Sequence, residues 1–302
     1  MDASAVSSAS SDATERASKT HEVLRPGRQS LPLVVSSPHS GADYPDSFVA
    51  ASRLDPLMLR RSEDSFVDEI FACAPRLGAP LLRALFPRAF VDANREPYEL
   101  DPSMFREPLP DYANTRSPRV AAGLGTIARV VANGAEIYRE KLALTEALQR
   151  IRTHYYPYHA ALAELVETTR RRFGYCLLLD CHSMPSSGGP MEADAGNPRI
   201  DFILGDCHGT ACAAAVTETA ARVLREAGFR VGRNKPYSGG FVTRHYGRPE
   251  EGLHALQIEI NRALYMDEAS IRRRPGLKRL AALMPELVQA LGALPRRELV
   301  SR

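Results

Sequence analysis

No apolar run in this chain approaches the roughly 20 residues that a membrane-spanning helix needs. The first 25 residues, MDASAVSSASSDATERASKTHEVLR, carry no hydrophobic core of a secretory signal. Membrane insertion and export are therefore not expected, and the cytoplasm is the expected location. Cysteine is scarce: Cys73, Cys176, Cys181, Cys207 and Cys212 are odd in number and form no C-x-x-C pair. That argues against a disulfide framework and against a structural zinc finger, leaving buried free thiols as the expected state. Long runs of Lys or Arg are missing too. The formal net charge is +3, and the RRR at 170–172 and RRRP at 272–275 are isolated clusters. A polyanion or membrane surface needs a wider basic face, so neither is an expected partner. No repeat of fixed period and no linker divides the chain.

What is present is ordinary globular material: 302 residues, 44% hydrophobic and 25% charged. The Ser/Ala-rich stretch 1–25 reads as a disordered tail and 26–302 as one domain. The segment LPLVVSS (31–37) predicts a buried strand, and DPLMLRRSEDSFVDEIFACAPRLG (55–78) a helix ending at Gly78. One or two strands are expected within 79–97. A long helical region runs from about 119 to 173, and Pro157 is expected to break it. GYCLLLDCHS (174–183), RIDFILGD (199–206) and FRVGRN (229–234) read as strands, and ACAAAVTETAARVLREAGF (211–229) as a helix. In HALQIEINRAL (254–264), Ala255, Gln257 and Glu259 alternate with Leu256, Ile258 and Ile260, the period of a strand. A terminal amphipathic helix begins near Pro275. Strands alternating with helices specify an α/β fold with a largely parallel or mixed sheet.

Four polar clusters follow or cap these segments: SPHSG (37–41), VDANREP (91–97), LDCHSMP (179–185) and QIEINR (257–262). Ligands of open α/β sheets bind outside the carboxyl ends of the strands, so four distant segments can converge on one crevice. His39 and His182 lie just past strand ends, and neutral imidazole with a carboxylate is a zinc-type ligand set. The third ligand stays open among Asp64, Glu63, Asp68, Asp43 and Asp180. Asp64 and Asp68 would share one helix face. Asp180 would share a strand face with His182 and could instead support an imidazole from behind. Glu259, a carboxylate inside an apolar strand, either pairs with an arginine such as Arg262 or moves a proton beside a metal. Asn94 and Arg95 stand at what reads as another strand end, and arginine grips carboxylates with two parallel donors. Arg244, in GGFVTRHYG (239–247), is a second candidate anion binder, because Gly239 and Gly240 allow that loop close to a ligand.

Taken together, SSPHSGADYPDSF, EDSFVDEIF, FVDANREPYELDP, YPYHAAL, LLLDCHSMPS, DFILGDCHG, NKPYSGGFVTRHYG and HALQIEINRALYMDE resemble the N-formylglutamate amidohydrolase family, in the family's order and over about residues 31–270. The resemblance implies a single α/β domain like the zinc carboxypeptidases and aspartoacylase-like deacylases, with a mixed twisted sheet flanked by helices. It implies one Zn2+, or another divalent metal, on His39 and His182. The family's acidic position falls best on Asp64, although the flanking SEDSF departs from the family pattern and leaves Glu63 in play. Glu259 would be the catalytic glutamate, and Asn94-Arg95 the pair that holds a substrate carboxylate. The implied reaction is hydrolysis of N-formyl-L-glutamate to formate and L-glutamate, the last step of one route of histidine degradation.

Rival readings are a metal hydrolase of another N-acyl amino acid or a short peptide, a cysteine hydrolase using Cys181 or Cys207, and a ligand-binding protein on a hydrolase scaffold. The sequence carries no signal of oligomeric state.

Overall fold

Apolar runs with a two-residue period cannot be buried singly, and here they assemble into the centre of one sheet. The computed structural model describes residues 19–131, 134–189 and 195–300. It contains strands β1 (His21–Leu24), β2 (Leu33–Ser37), β3 (Leu81–Ala84), β4 (Cys176–Met184), β5 (Phe202–Gly205), β6 (Val231–Arg233) and β7 (Leu253–Asn261). They form a seven-stranded sheet in the order β1-β3-β2-β4-β7-β5-β6. The core strands β3, β2, β4 and β7 run parallel, β1 is antiparallel to β3, and β5 is antiparallel to β7. This is the mixed α/β sheet expected, flanked by helices on both faces.

Side-chain alternation divides the sheet into two apolar layers. On one face Leu177, Leu179 and Cys181 of β4 and Leu256, Ile258 and Ile260 of β7 are fully buried beneath the helices α2 (Ala214–Glu226) and α4 (Gly276–Gly292). On the other, Val34, Cys176, Leu178 and Ala255 lie beneath α1 (Tyr156–Phe173) and the irregular segment from 86 to 142. That second face changes from apolar to polar toward the strands' carboxyl ends. There Ser36, Asp180, His182, Gln257 and Glu259 continue the rows begun by Val34, Leu178 and Ala255.

Several expectations need correction. The 55–78 segment is not one helix. It breaks into Pro56–Leu59, a 3-10 turn Arg60–Ser62, and short helices Val67–Ile70 and Ala74–Leu77. Glu63 is extended and Phe66 is left-handed (φ 69°), so Asp64 lies in a loop and shares no helix face with Asp68. One strand forms within 79–97, within the expectation, but Asn94 and Arg95 occupy a turn well past its end and not a strand end of their own. The expected 119–173 helix exists only as a short Pro118–Ala121 turn and a rod from Leu144 onward. Pro157 does not break that rod, because a π-helical turn at Ile151–Tyr155 widens the ladder just ahead of it. Residues 1–18 of the expected tail lie outside the described residues, but His21–Leu24 joins the sheet as an edge strand. No described helix is long and apolar enough to cross a membrane.

Ile258 is fully buried at the middle of β7. Ile258→Ala is expected to cost about 2–5 kcal/mol through lost burial and the cavity left behind, read as a lowered midpoint in urea denaturation.

Candidate metal centre and active site

The register of three parallel strands sets the floor of the site. Ser36 of β2 lies beside Asp180 of β4, Asp180 beside Gln257 of β7, and His182 beside Glu259. Because alternate residues share a face, Asp180, His182, Gln257 and Glu259 all point the same way. His39 arrives from the turn after β2. A Cβ on Gly41 would collide with the Phe86 carbonyl oxygen, so glycine there lets this turn pack against the 85–92 segment.

His39, Asp64 and His182 are all buried, and one potential ligand atom from each lies within 4.8 Å of the others. Asp64 Oδ2 sits 3.3 Å from His39 Nδ1 and 2.9 Å from His182 Nδ1. The outer nitrogens meet carboxylates as well: His39 Nε2 is 2.7 Å from Asp92 and His182 Nε2 is 2.9 Å from Asp180. A carboxylate behind each imidazole fixes the ring and its tautomer, as behind metal-ligating histidines generally. This group can hold a metal ion, and two imidazoles with one carboxylate suit zinc with a coordination position left open.

The rival third ligands are engaged elsewhere. Glu63 accepts hydrogen bonds from Tyr44, Arg60 and Ser65. Asp68 pairs with Arg83 at 2.6 Å, Asp43 is exposed, and Asp180 stands behind His182. Asp64 alone places an oxygen between the two Nδ1 atoms. The Asp64 amide also donates to the His39 carbonyl at 3.0 Å, fastening the two loops together.

Charge in this cluster is strongly organised. Burial works against ionised Asp64, yet hydrogen bonds from His182 and His39 outweigh it and hold its carboxyl well below the usual range. Burial likewise opposes the His182 imidazolium, but Asp180 and Asp64 raise its pKa well above the ordinary value. Glu259 moves in the opposite sense. Burial pushes its carboxyl up to about 7, and Gln257 Nε2 donates to it.

A cavity of about 360 Å³ opens above this floor, lined by the triad, Glu259 and a set of arginines. Arg95 is buried; its Nε donates to Leu124 O at 2.8 Å and its Nη1 to Asn94 O at 2.7 Å. Burial lowers its pKa to about 10, a sign of incompletely neutralised charge. Arg244, on α3 (Phe241–Tyr246), reaches the cavity from the rim and donates to Gly239 O at 3.1 Å. The Asn94 amide lines the same wall, 3.4 Å from Asp180 and 2.9 Å from His182 Nε2, and accepts from Val242 N at 2.7 Å. Glycine at 240 is what lets α3 approach it, since a Cβ there would collide with that amide. Arg262 does not pair with Glu259; it bonds Asp64.

Sequence reasoning missed Asp92, Arg88 and Arg119. Asp92 had a visible signal, standing two residues before Asn94 in VDANREP. Arg88, which donates to Asp92 at 2.7 Å, and the exposed Arg119 had none. The cysteine reading finds no support. Cys181 points into the opposite layer with its thiol pushed up by burial, Cys207 is pushed up likewise, and among the described residues neither thiol bonds an imidazole.

Along most of its length the chain is similar to known proteins. The family profile described as N-formylglutamate amidohydrolase matches residues 31–266. An N-formylglutamate deformylase of Pseudomonas aeruginosa is 32% identical over 280 residues, covering 91% of this chain and 98% of that one. Its counterpart in Pseudomonas putida is 29% identical over 266 residues, covering 86% and 92%. Among solved structures, an N-formylglutamate amidohydrolase from Ralstonia eutropha JMP134 superposes with a TM-score of 0.83 at 36% identity, covering 92% of this chain and 99% of that chain.

Asp92→Asn leaves His39 Nε2 without its anionic partner. It is expected to weaken metal binding about 10–100-fold in competition with a chromophoric chelator, and, because Arg88 and Arg95 lose the same partner, to lower the thermal unfolding midpoint of the metal-free protein.

Proposed function

The chain belongs to the N-formylglutamate amidohydrolase family, and from that membership we propose that it hydrolyses N-formyl-L-glutamate to formate and L-glutamate at the cavity above His39, Asp64 and His182. It is an amide hydrolase. The observation that carries the substrate reading is the juxtaposition, in one cavity, of the buried His-Asp-His group, a carboxylate raised to about 7 and several arginines.

His39, Asp64 and His182 hold Zn2+, or another divalent metal, and Asp92 and Asp180 orient the two imidazoles. When bound, such an ion supplies Lewis acidity, lowering the pKa of water and polarising a carbonyl. N-formylglutamate carries two carboxylates, and the wall offers Arg95 at depth and Arg244 at the rim to receive them. Asn94 fixes the turn between Arg95 and His182, its amide shaping the pocket beside the bound carboxylate. Glu259, ionised, accepts a proton from the attacking water. It then delivers that proton to the departing amine, so the carboxylate is regenerated and the products are formate and the free amino acid. Arg88, whose charge is felt by both Asp64 and Glu259, offsets the negative charge that develops on the formyl oxygen.

The raised pKa of Glu259 gives a sign for the pH dependence. Only the ionised form accepts the proton, so activity is lost as pH falls through that pKa. A bound cation favours the ionised form and draws the pKa down from about 7 toward the ordinary 4.5. The plot of kcat/KM against pH is expected to show an acid limb between these limits. Glu259→Gln is expected to reduce kcat by about 10²–10⁴-fold without loss of bound metal. Formate release from N-formyl-L-glutamate by zinc-loaded protein, set beside His182→Ala, tests the assignment directly. A folded, metal-loaded protein that releases no formate overturns the substrate.

A further inference from the structure

Arg262 begins the turn Arg262–Leu264 that follows β7, and only 6% of it is exposed. Every nitrogen of its guanidinium is engaged. Nη2 donates to Asp64 Oδ1 at 3.1 Å, Nε to Ser183 Oγ at 3.1 Å and Nη1 to the Arg61 carbonyl at 3.1 Å. Ser183 Oγ in turn donates to the same Asp64 Oδ1 at 3.1 Å. The Asp64 carboxylate is thus divided. Oδ1 takes two protein donors, while Oδ2 alone faces the histidine nitrogens. Three of its five N–H donors are thus committed to the protein, the one on Nη2 to Asp64 itself, whereas Arg244 bonds Gly239 O from the rim.

We propose that Arg262 is a positioning residue that claims one oxygen of Asp64, so that Asp64 offers a single oxygen to the metal, and that its charge holds the metal affinity of the site below what the ligands alone would give. This rests on the metal centre proposed above. Two physical effects act in the same direction. A buried monocation beside a dication is repulsive, and the low-dielectric surroundings preserve that repulsion. A carboxylate oxygen already bonded to a guanidinium is a poorer donor and is withheld from the metal. In the metal-free protein the same cation is favourable, because it adds to the compensation of a fully buried carboxylate. Arg262 therefore stabilises the empty site and weakens the filled one.

The test is zinc affinity by chelator competition, with thermal unfolding of metal-free and zinc-loaded protein, for wild type, Arg262→Met, Arg262→Gln, Arg262→Lys and His182→Ala. The neutral variants are expected to bind zinc at least about tenfold more tightly, since the monocation that repels the dication is gone. Their metal-free forms should unfold at lower temperature than wild type, with the gap narrowing once zinc is bound. Arg262→Lys, which keeps the cation, should return affinity to within about threefold of wild type, since the charge persists. Arg262→Gln retains a polar donor toward Ser183 and Asp64 and carries the test if Arg262→Met does not fold. An arginine that merely braces the fold would lower both unfolding temperatures equally and leave affinity unchanged or weaker. Either of those results, or failure of lysine to restore the wild-type value, overturns the proposal. Wild type that binds no zinc, or His182→Ala that binds it equally well, removes the metal centre and the proposal together. Zinc binding that depends on His182 but ignores the neutral variants removes only the role of Arg262.

Discussion

One buried carboxylate ties the active region together. Asp64 Oδ2 lies between the Nδ1 atoms of His39 and His182, and its amide holds the His39 carbonyl. Three segments that are 25 and 118 residues apart in sequence meet at that one group. A fully buried carboxylate without partners would protonate or drive its loop out to solvent. Here the imidazoles and Arg262 supply the compensation, so the 60–66 loop is fixed against the sheet in place of the helix its neighbours would otherwise form. The break in that helix is the local cost of putting Asp64 where the strands end.

Around this group the polar side chains are arranged in layers. Imidazoles surround Asp64, the carboxylates Asp92 and Asp180 stand behind the imidazoles, and Arg88 stands behind Asp92. Asp64 has Arg262 and Asp92 has Arg88 as partners of opposite sign, which is the condition under which buried ions persist. Glu259 is the exception, since its nearest side-chain donor is the neutral amide of Gln257. That difference separates the groups suited to holding a cation from the one suited to moving a proton. Two carboxylates on the same floor, Asp64 and Glu259, are driven to opposite sides of their ordinary pKa by their surroundings alone.

The sheet does more than support these groups. One face of β4 and β7 is apolar over Leu177, Leu179 and Cys181 and over Leu256, Ile258 and Ile260, and the other turns polar at Asp180 and His182 and at Gln257 and Glu259. The same alternation that buries Leu177, Leu179 and Cys181 under α2 and α4 turns His182 toward the cavity, with Asp180 behind it on the same face. A register shift of one residue would exchange the two sets, so the packing of the apolar face also secures the placement of His182, Gln257 and Glu259.

Much of this was legible in the sequence, because strand periodicity and motif residues are local signals. The strands containing Leu33–Ser37, Cys176–Met184 and Leu253–Asn261, the convergence of His39 and His182, and the inward face of Glu259 all follow from a two-residue period and from turns marked by Gly and Pro. The family is readable too, since its motifs occur in order along the chain. What the sequence could not decide was which carboxylate meets the histidines. Glu63 and Asp64 are adjacent and chemically alike, and the choice rests on Tyr44, Arg60 and Ser65 engaging Glu63. Nor could it show that Asp92 stands behind His39, that Arg262 holds Asp64 and not Glu259, or that His21–Leu24 pairs with β3. Each of those depends on distant segments meeting, some of them more than a hundred residues apart. Local pattern determined the elements and their faces, whereas the pairing of buried charges was settled only once the chain had closed around them.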